Sequence, residues 1–212
     1  PVVLDFHGYS SSGTQQAQYS GMNAKSDGAG FVAVHADGTG ALRSWNAGAC
    51  CGTAASDKID DVAFVSALLD ELTKKLCVDD KRVFATGLSN GGFLSHRLAC
   101  ELSGRIAAIA PVARVMGVPT CNPTRAVPVM HFHGTSDPLV PYNGNNTGYP
   151  SVADTIAQWA SRNKCTDTAQ TTFQKDDVTC KTQSQCAAGS EVTLCTVDGG
   201  GHTWPGSSIP VV

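Results

Sequence analysis

The feature that most constrains the fold of this chain is the pentapeptide GLSNG at residues 87–91. It follows an apolar run typical of a strand, 82–86, and precedes a run typical of a helix, 93–102. A serine between two glycines at such a junction is the pattern of the G-x-S-x-G nucleophile elbow. The turn pushes the serine hydroxyl into a cleft, and the glycines let neighbouring backbone pass without a Cβ clash. The pattern therefore predicts Ser89 as a nucleophile.

A serine hydroxyl becomes a strong nucleophile only beside a base that a carboxylate orients. After a nucleophile elbow, the acid and then the histidine are expected in that chain order. A predicted strand at 127–133 leads into a turn with Asp137, and another at 191–197 leads into a glycine-rich loop with His202. Both residues come just past strand ends, where open α/β sheets bind ligands. The sequence thus predicts a Ser89, Asp137 and His202 triad.

Other acids and histidines have structural interpretations. Asp154 and Asp167 are rival acids, but Asp154 lies in the first turn of a predicted helix, where a carboxylate interacts favourably with the helix dipole. The histidines on predicted strands and on the helix after the elbow are interpreted as hydrogen-bonded structural residues: His35, His96, His131 and His133.

Acyl transfer also needs hydrogen-bond donors aimed at the oxyanion. One predicted donor is the backbone N–H of Asn90, directly after the nucleophile. The chain opens on a strand, 1–6, followed by His7-Gly8 and a polar loop. This H-G motif predicts the backbone N–H of Tyr9 as the second donor.

Strands alternate with helices along the chain, which predicts a mostly parallel sheet with helices on both faces. Strands are predicted at 1–6, 31–36, 82–87, 106–112, 127–133 and 191–197, and helices near 57–76, 91–102 and 151–163. Neither an internal repeat nor a linker divides the sequence, so residues 1–212 are predicted to form a single domain. The polar, cysteine-rich stretch at about 164–190 is interpreted as a stapled excursion from it.

The connection at 113–126 is too short for a large helical cap, so an open cleft is predicted. Trp45 and Trp204 are the predicted aromatic walls of that cleft. For Trp45, packing in the core is an equally good interpretation.

Nine cysteines favour an oxidising compartment, and their spacing does not match a metal site. Since nine is odd, one cysteine is expected outside any intrachain bridge. The predicted disulfides are Cys100–Cys121, Cys165–Cys195 and Cys180–Cys186. A fourth comes from Cys50, Cys51 and Cys77, through either a bond to Cys77 or a bond between the adjacent pair. Asn145 is a candidate glycosylation acceptor.

Composition excludes several classes of partner. Only 16% of residues are charged and the net charge is −3, so no basic surface is expected for nucleic acid. No apolar run approaches the ~20 residues of a membrane-spanning helix. No signal peptide begins the sequence, which is expected of a mature or trimmed secreted chain.

The motifs together resemble the secreted α/β-hydrolases of the polyhydroxybutyrate-depolymerase and feruloyl-esterase-like group, which includes acetylxylan esterases and other carbohydrate esterases. The motifs that carry the resemblance are His7-Gly8, Trp45-Asn46-Ala47-Gly48, Cys50-Cys51-Gly52, Asp60-Asp61-Val62, Gly87 to Gly92, His133 to Asp137 and Gly200 to Gly206. It implies an α/β-hydrolase fold and carboxylic ester hydrolysis through an acyl-enzyme, for which no metal or organic cofactor is needed.

The leading substrates are feruloyl or acetyl esters of plant polysaccharide, and a polyhydroxyalkanoate or another polyester is the alternative. A catalytically inactive binding protein on the same fold is an alternative of another class. The sequence departs from the group in two ways. It begins on the strand that bears His7-Gly8, where earlier edge strands are usual, and it ends soon after His202, where a closing helix is usual.

Overall fold

The computed structural model describes residues 1–144 and 148–207. Within these residues, eight strands form one sheet in the order β2-β1-β3-β4-β5-β8-β7-β6. The strands are β1 (Val2–Phe6), β2 (Val32–Val34), β3 (Val83–Leu88), β4 (Ala108–Val112), β5 (Val129–Gly134), β6 (Gln170–Lys175), β7 (Val178–Gln183) and β8 (Val192–Val197). The strands from β2 to β8 in this order are parallel, whereas β7 runs antiparallel to β8 and β6 antiparallel to β7.

The helices connect these strands. They are α1 (Gly13–Ser20), α2 (Met22–Ala29), α3 (Gly52–Ser56), α4 (Asp61–Lys75), α5 (Asn90–Glu101) and α6 (Val152–Arg162). Crossovers between parallel strands are almost always right-handed, so connections that move in opposite directions across the sheet lie on opposite faces. From β1 the chain crosses to β2 at one edge of the sheet, whereas from β3 it crosses to β4 in the opposite direction. The strand order therefore reverses between β1 and β3, a switch point of the kind at which α/β sheets bind ligands.

The sequence explains the ends of the main helices. The Asp60 side chain accepts a hydrogen bond from Ala63 N (2.9 Å), so α4 begins later than the predicted 57–76 range. Ser151 and Asp154 form a capping box at the start of α6, which gives Asp154 the structural role expected of it. Helices α1 and α2 were not predicted, because neither shows a buried apolar stripe: α1 buries only Gly13 and Gln16, and α2 buries no residue.

Residues 164–190, interpreted from the sequence as a stapled excursion, have more regular structure than that interpretation implies. This stretch contains β6 and β7, which extend the main sheet at one edge. Every residue of β6 is exposed, and most of its side chains are Gln, Thr or Lys. The sequence therefore lacks the apolar pattern that indicates a buried strand. The first strand lies inside the sheet, because β1 pairs with both β2 and β3.

All nine cysteines lie in the described residues, which contain four disulfides, and two of the predicted pairings are wrong. Cys100 bonds Cys121 as predicted, and the adjacent Cys50 and Cys51 bond each other. Cys180 pairs with Cys195 because the antiparallel register of β7 and β8 places them directly opposite. Cys165 then pairs with Cys186, where Thr166 N donates to Gln185 O (3.0 Å). Cys77 is exposed and free.

The core lies between the sheet and α4, α5 and α6. Its largest buried side chains include Trp45, Trp159, Phe6 and Phe93. The connection from β4 to β5 contains neither helix nor strand, so it contributes no helical cap. No helix in residues 1–144 or 148–207 is long and apolar enough to span a membrane. Asn145, the candidate glycosylation acceptor, lies outside the described residues.

Candidate active site

Ser89 occupies the sharp turn between β3 and α5. Its φ of 58° and ψ of −119° lie in a region that side-chain-bearing residues rarely adopt, so the turn stores backbone strain. The glycines around it are required by close packing. A Cβ on Gly91 would collide with the Phe6 carbonyl, and one on Gly87 would lie 2.7 Å from the Gly91 backbone. Gly87 and Gly91 thus allow the close packing that holds Ser89 in this turn.

The Ser89 hydroxyl is left without a hydrogen-bond partner among the described residues, although the residue is only 7% exposed. Its backbone N–H donates to Val112 O (3.0 Å) at the end of β4. This bond fixes the turn against the neighbouring strand, so the hydroxyl has a defined position at the carboxyl edge of the sheet.

Asp137 and His202 form a hydrogen-bonded pair in the loops after β5 and β8. His202 Nδ1 lies 2.8 Å from Asp137 Oδ2. The two loops are joined by a bond from Ser136 N to Gly200 O (2.9 Å), and a Cβ on Gly134 would collide with the Gly200 carbonyl. Close contact between these glycine-rich loops therefore brings together residues far apart in the sequence.

Asp137 is held ionised by its neighbours. Its Oδ1 accepts from Leu139 N (2.9 Å) and Val140 N (2.8 Å). Burial by itself raises the pKa of Asp137, but the hydrogen bonds from His202 and these two amides together outweigh it and lower the pKa. An ionised Asp137 fixes the proton of His202 on Nδ1 and leaves Nε2 free to accept a proton.

The three residues lie along one edge of the sheet, after β3, β5 and β8, with β4 between the first two. Among the described residues, no hydrogen bond joins Ser89 to His202. Catalytic hydrogen bonds of this kind often shorten only when substrate is bound. The arrangement can thus bring a histidine base to a serine hydroxyl across the end of β4.

The loop after β1 faces the nucleophile. A Cβ built on Gly8 would lie 3.3 Å from Ser89 Cβ and 3.8 Å from Ser89 Oγ. The backbone N–H groups of Tyr9 and Asn90 donate to no described residue, and that of Asn90 is one of the free amides of a helix N-terminus. Both amides are therefore available to an oxyanion.

His7 holds this loop in place, a role that the sequence did not reveal. Its Nδ1 donates to Gly8 O (2.7 Å), and its Nε2 accepts from Gly38 N (2.8 Å). Burial lowers the pKa of His7, which keeps the ring neutral and preserves both bonds.

The prediction of Trp45 as a wall of the cleft is wrong. Trp45 is 1% exposed and packs edge-on against Phe6, with ring centroids 5.3 Å apart. Its Nε1 donates to His7 O (3.1 Å), and its backbone binds both side-chain atoms of Asn90 (2.7 and 3.0 Å). Trp45 is therefore a core residue that supports the Ser89 turn and the loop after β1.

Trp204 lies two residues after His202 and is partly buried. It packs with a small cluster of Leu88, Val112, Ala113 and Phe132 at the strand ends. It also lines a cavity of about 200 Å³ beside the His202 loop, with Phe132 and His133 among the lining residues. Contact between Trp204 and substrate remains a prediction.

The rival residues have structural partners. Asp167 accepts from Ser184 N (2.9 Å) and Gln185 N (3.1 Å). His96 Nδ1 accepts from Trp159 Nε1 (3.0 Å), and burial lowers its pKa to about 4.

His133 contributes to the acid loop in a way that its sequence position did not reveal. Its Nε2 donates to Val140 O (2.8 Å) and lies 3.5 Å from Asp137 Oδ2. Its Nδ1 then accepts from Nε2 of His131 (3.2 Å). Burial lowers the pKa of both rings, so both are neutral. The alternating pattern HFH on β5 was the only signal in the sequence for this pair.

A mostly parallel sheet with a serine elbow after one strand, and an acid and a histidine after later strands, defines an α/β-hydrolase. The family model for phospholipases and carboxylesterases matches residues 1–175. The chain belongs to this family, a class of carboxylic ester hydrolases, and the α/β-hydrolase fold predicted from the sequence is confirmed.

Known proteins are similar to it over most of its length. Feruloyl esterase B from Piromyces equi is 34% identical over 95% of this chain, and putative esterase NocK from Nocardia uniformis subsp. tsuyamanensis is 33% identical over 99%. This chain spans 39% of the first relative and 67% of the second. The solved acetyl xylan esterase from Aspergillus awamori superposes with a TM-score of 0.73 at 16% identity, covering 96% of this chain and 84% of that one, which shows the shared fold.

Proposed function

We propose that this chain is a serine esterase in which Ser89 attacks an ester carbonyl. The observation that carries the proposal is the strained Ser89 turn at the same sheet edge as the hydrogen-bonded Asp137–His202 pair. Nε2 of His202 takes the hydroxyl proton as Oγ attacks, and Asp137 stabilises the imidazolium that forms. The amides of Asn90 and Tyr9 donate to the oxyanion.

The tetrahedral intermediate then collapses. His202 gives its proton to the alcohol, which leaves, and the acyl group stays on Ser89 as an ester. Water enters, loses a proton to His202 and attacks this acyl-enzyme. The carboxylic acid is released and Ser89 regains its proton.

The proposed substrates are feruloyl or acetyl esters carried on plant polysaccharide. Two observations support this choice: relatives are named as feruloyl and acetylxylan esterases, and the β4–β5 connection contributes no cap over the site. A polymer-attached ester needs such an open approach. Four disulfides fit an oxidising compartment, which supports a secreted enzyme.

The first test replaces the nucleophile. Ser89→Ala is expected to lower kcat/KM on p-nitrophenyl acetate by about 10³-fold or more, because the residual rate then depends on the oxyanion donors alone. The melting temperature should stay at or above that of the parent, since the hydroxyl has no partner to lose. Ser161→Ala, on the exposed side of α6, is the matched control and should keep full activity. Equal rates for Ser89→Ala and parent would refute the assignment.

Two further measurements separate the alternatives. A fluorophosphonate probe should label Ser89 in the parent, and absence of labelling would favour an inactive binding protein. Rates on methyl ferulate, acetylated xylan and polyhydroxybutyrate film, compared side by side, should be highest on one of the first two. A preference for the film, or for long-chain triglyceride, would contradict the proposed substrate class.

A further inference from the structure

Arg114 lies between the nucleophile and the acid. It follows β4, the strand that separates β3, which leads to Ser89, from β5, which leads to Asp137. The backbone just before it is fixed on both sides, by Ser89 N to Val112 O (3.0 Å) and by Ala113 N to Phe132 O (2.8 Å). A Cβ on Gly92 would lie 3.1 Å from Arg114 Cβ, so the side chain starts against the first turn of α5.

The guanidinium of Arg114 packs on aromatic rings. Its Cζ lies 4.4 Å from the ring centroid of Phe93 and 6.0 Å from that of Tyr149. Phe93 is one helical turn past Ser89, and its N–H donates to Ser89 O (3.1 Å). These rings hold the guanidinium beside the elbow, since an aromatic face attracts a cation that lies over it.

No acceptor among the described residues satisfies the N–H groups of Arg114. Arg114 forms neither an ion pair nor a side-chain hydrogen bond with any described residue, and its Nε is buried without a partner. Every other arginine has an oxygen partner: Arg43, Arg82, Arg97, Arg105, Arg125 and Arg162.

A half-buried charge without a hydrogen-bond acceptor is costly, and the contacts with Phe93, Tyr149 and Asp137 offset only part of that cost. Burial lowers the pKa of Arg114 to about 10, although Tyr149 and Asp137 act in the opposite direction. The side chain is therefore still a cation at neutral pH. A ligand with a negative oxygen group would supply the missing acceptor.

We propose that Arg114 is a specificity-determining residue that binds a carboxylate on the ester substrate. This inference rests on the proposed esterase function of the Ser89 site. A planar guanidinium can donate two parallel hydrogen bonds to a carboxylate. A single cation close to the carboxylate of Asp137 suits a monoanion better than a phosphate dianion, which Asp137 would repel.

The carboxylate can belong to either side of the ester, and two substrate pairs distinguish these sources. On the acyl side, the p-nitrophenyl ester of para-carboxybenzoic acid is compared with that of para-carbamoylbenzoic acid. On the alcohol side, para-acetoxybenzoate is compared with para-acetoxybenzamide. Each pair differs in charge while keeping nearly the same shape.

The parent is expected to prefer the anionic member of one pair by about tenfold or more in kcat/KM, the range for a hydrogen bond to a charged group. Arg114→Met should bring that ratio close to one, whereas Arg114→Lys should retain part of it. Arg82→Met is the matched control, because Arg82 carries the same charge at the opposite end of β3, where it pairs with Asp79 (2.6 Å). Its ratio should equal that of the parent.

The ratio is measured within each protein, so a loss of overall rate in a variant does not affect it. No anionic preference in either pair for the parent would overturn the proposal, and so would a preference that Arg114→Met keeps. Neither result would contradict the proposed esterase function, which is tested separately by the rates on neutral esters and by Ser89→Ala.

Discussion

The parallel centre of the sheet and its antiparallel edge are held together by different forces. Five of the six residues of β3 are buried, whereas all six of β6 are exposed. The centre is stabilised by burial under α5 and by hydrogen-bonded polar groups such as His96 and His133. The edge lacks a buried face on β6, and two disulfides attach it: Cys180–Cys195 to β8 and Cys165–Cys186 to the end of α6.

The two regions therefore have different expected roles: the centre carries the candidate catalytic residues, and the edge contributes to stability. The candidate catalytic residues follow parallel strands, whose carboxyl ends meet at one edge of the sheet. The antiparallel pair contributes none of them. Changes at the edge should thus alter unfolding, and changes in the centre should alter both unfolding and catalysis.

The largest expected effect tests the edge. Replacing both Cys180 and Cys195 by alanine opens a crosslink between residues separated by 15 positions. The free energy of unfolding should fall by about 3 kcal/mol, since the unfolded chain gains conformational freedom. For a chain of this size, the melting temperature should fall by roughly 6 to 12 °C.

At temperatures well below melting, kcat/KM of this double variant should stay close to that of the parent. Cys77→Ala, which removes the free and exposed thiol, is the control and should change neither quantity. A large loss of kcat/KM in a variant that is still folded would show that the edge supports the active site after all.

A smaller decrease in the free energy of unfolding is expected at acidic pH, and it arises from a histidine packed against the parallel centre of the sheet. The pKa of buried His96 is lowered to about 4, while the unfolded value is near 6.5. Between these values the unfolded chain binds more protons, so stability is fully present above pH 6.5 and is lost as the pH falls. At pH 5 this one residue should cost about 2 kcal/mol.

Urea unfolding at pH 7.5 and pH 5 measures this loss. His96→Asn does not titrate and keeps an oxygen acceptor for Trp159 Nε1, so its loss between the two pH values should be about 2 kcal/mol smaller than that of the parent. The strands β6 and β7 contain no histidine and should not contribute. Identical losses for variant and parent would mean that His96 is not the source.

The smallest effect concerns the acid loop. His133→Phe keeps a ring but removes the donor to Val140 O, whose own N–H binds Asp137. We expect kcat/KM to fall about tenfold, which corresponds to about 1.4 kcal/mol, the scale of one buried hydrogen bond. His133 is a positioning residue here, so the loss should fall on kcat rather than on KM.

His133→Gln retains an N–H donor and should recover part of the lost rate. The pH profile gives a second readout, because a displaced Asp137 would shift the acidic limb of kcat/KM. If phenylalanine and glutamine behave alike, with an unchanged profile, His133 serves packing alone.

Much of the molecule could be predicted from local sequence. The GLSNG turn, the order of Ser89, Asp137 and His202, and the six parallel strands all follow from patterns within a few residues. The pattern of buried apolar residues did not predict β6, because a fully exposed strand has no buried face. It also failed at Trp45, because an indole in a glycine-rich loop suits a cleft and a core equally well.

The sequence by itself determined the class of fold, and it predicted which residues carry the chemistry. Glycine positions, turns and strand ends depend on neighbouring residues, and the order of the strands along the chain limits which loops can come together. Only the tertiary structure decided which side chains are partners. The antiparallel register of β7 and β8 placed Cys180 opposite Cys195, and the position of β4 between β3 and β5 placed Arg114 beside the site without an acceptor among the described residues. These relations depend on strand order and register, which arise from packing between distant segments.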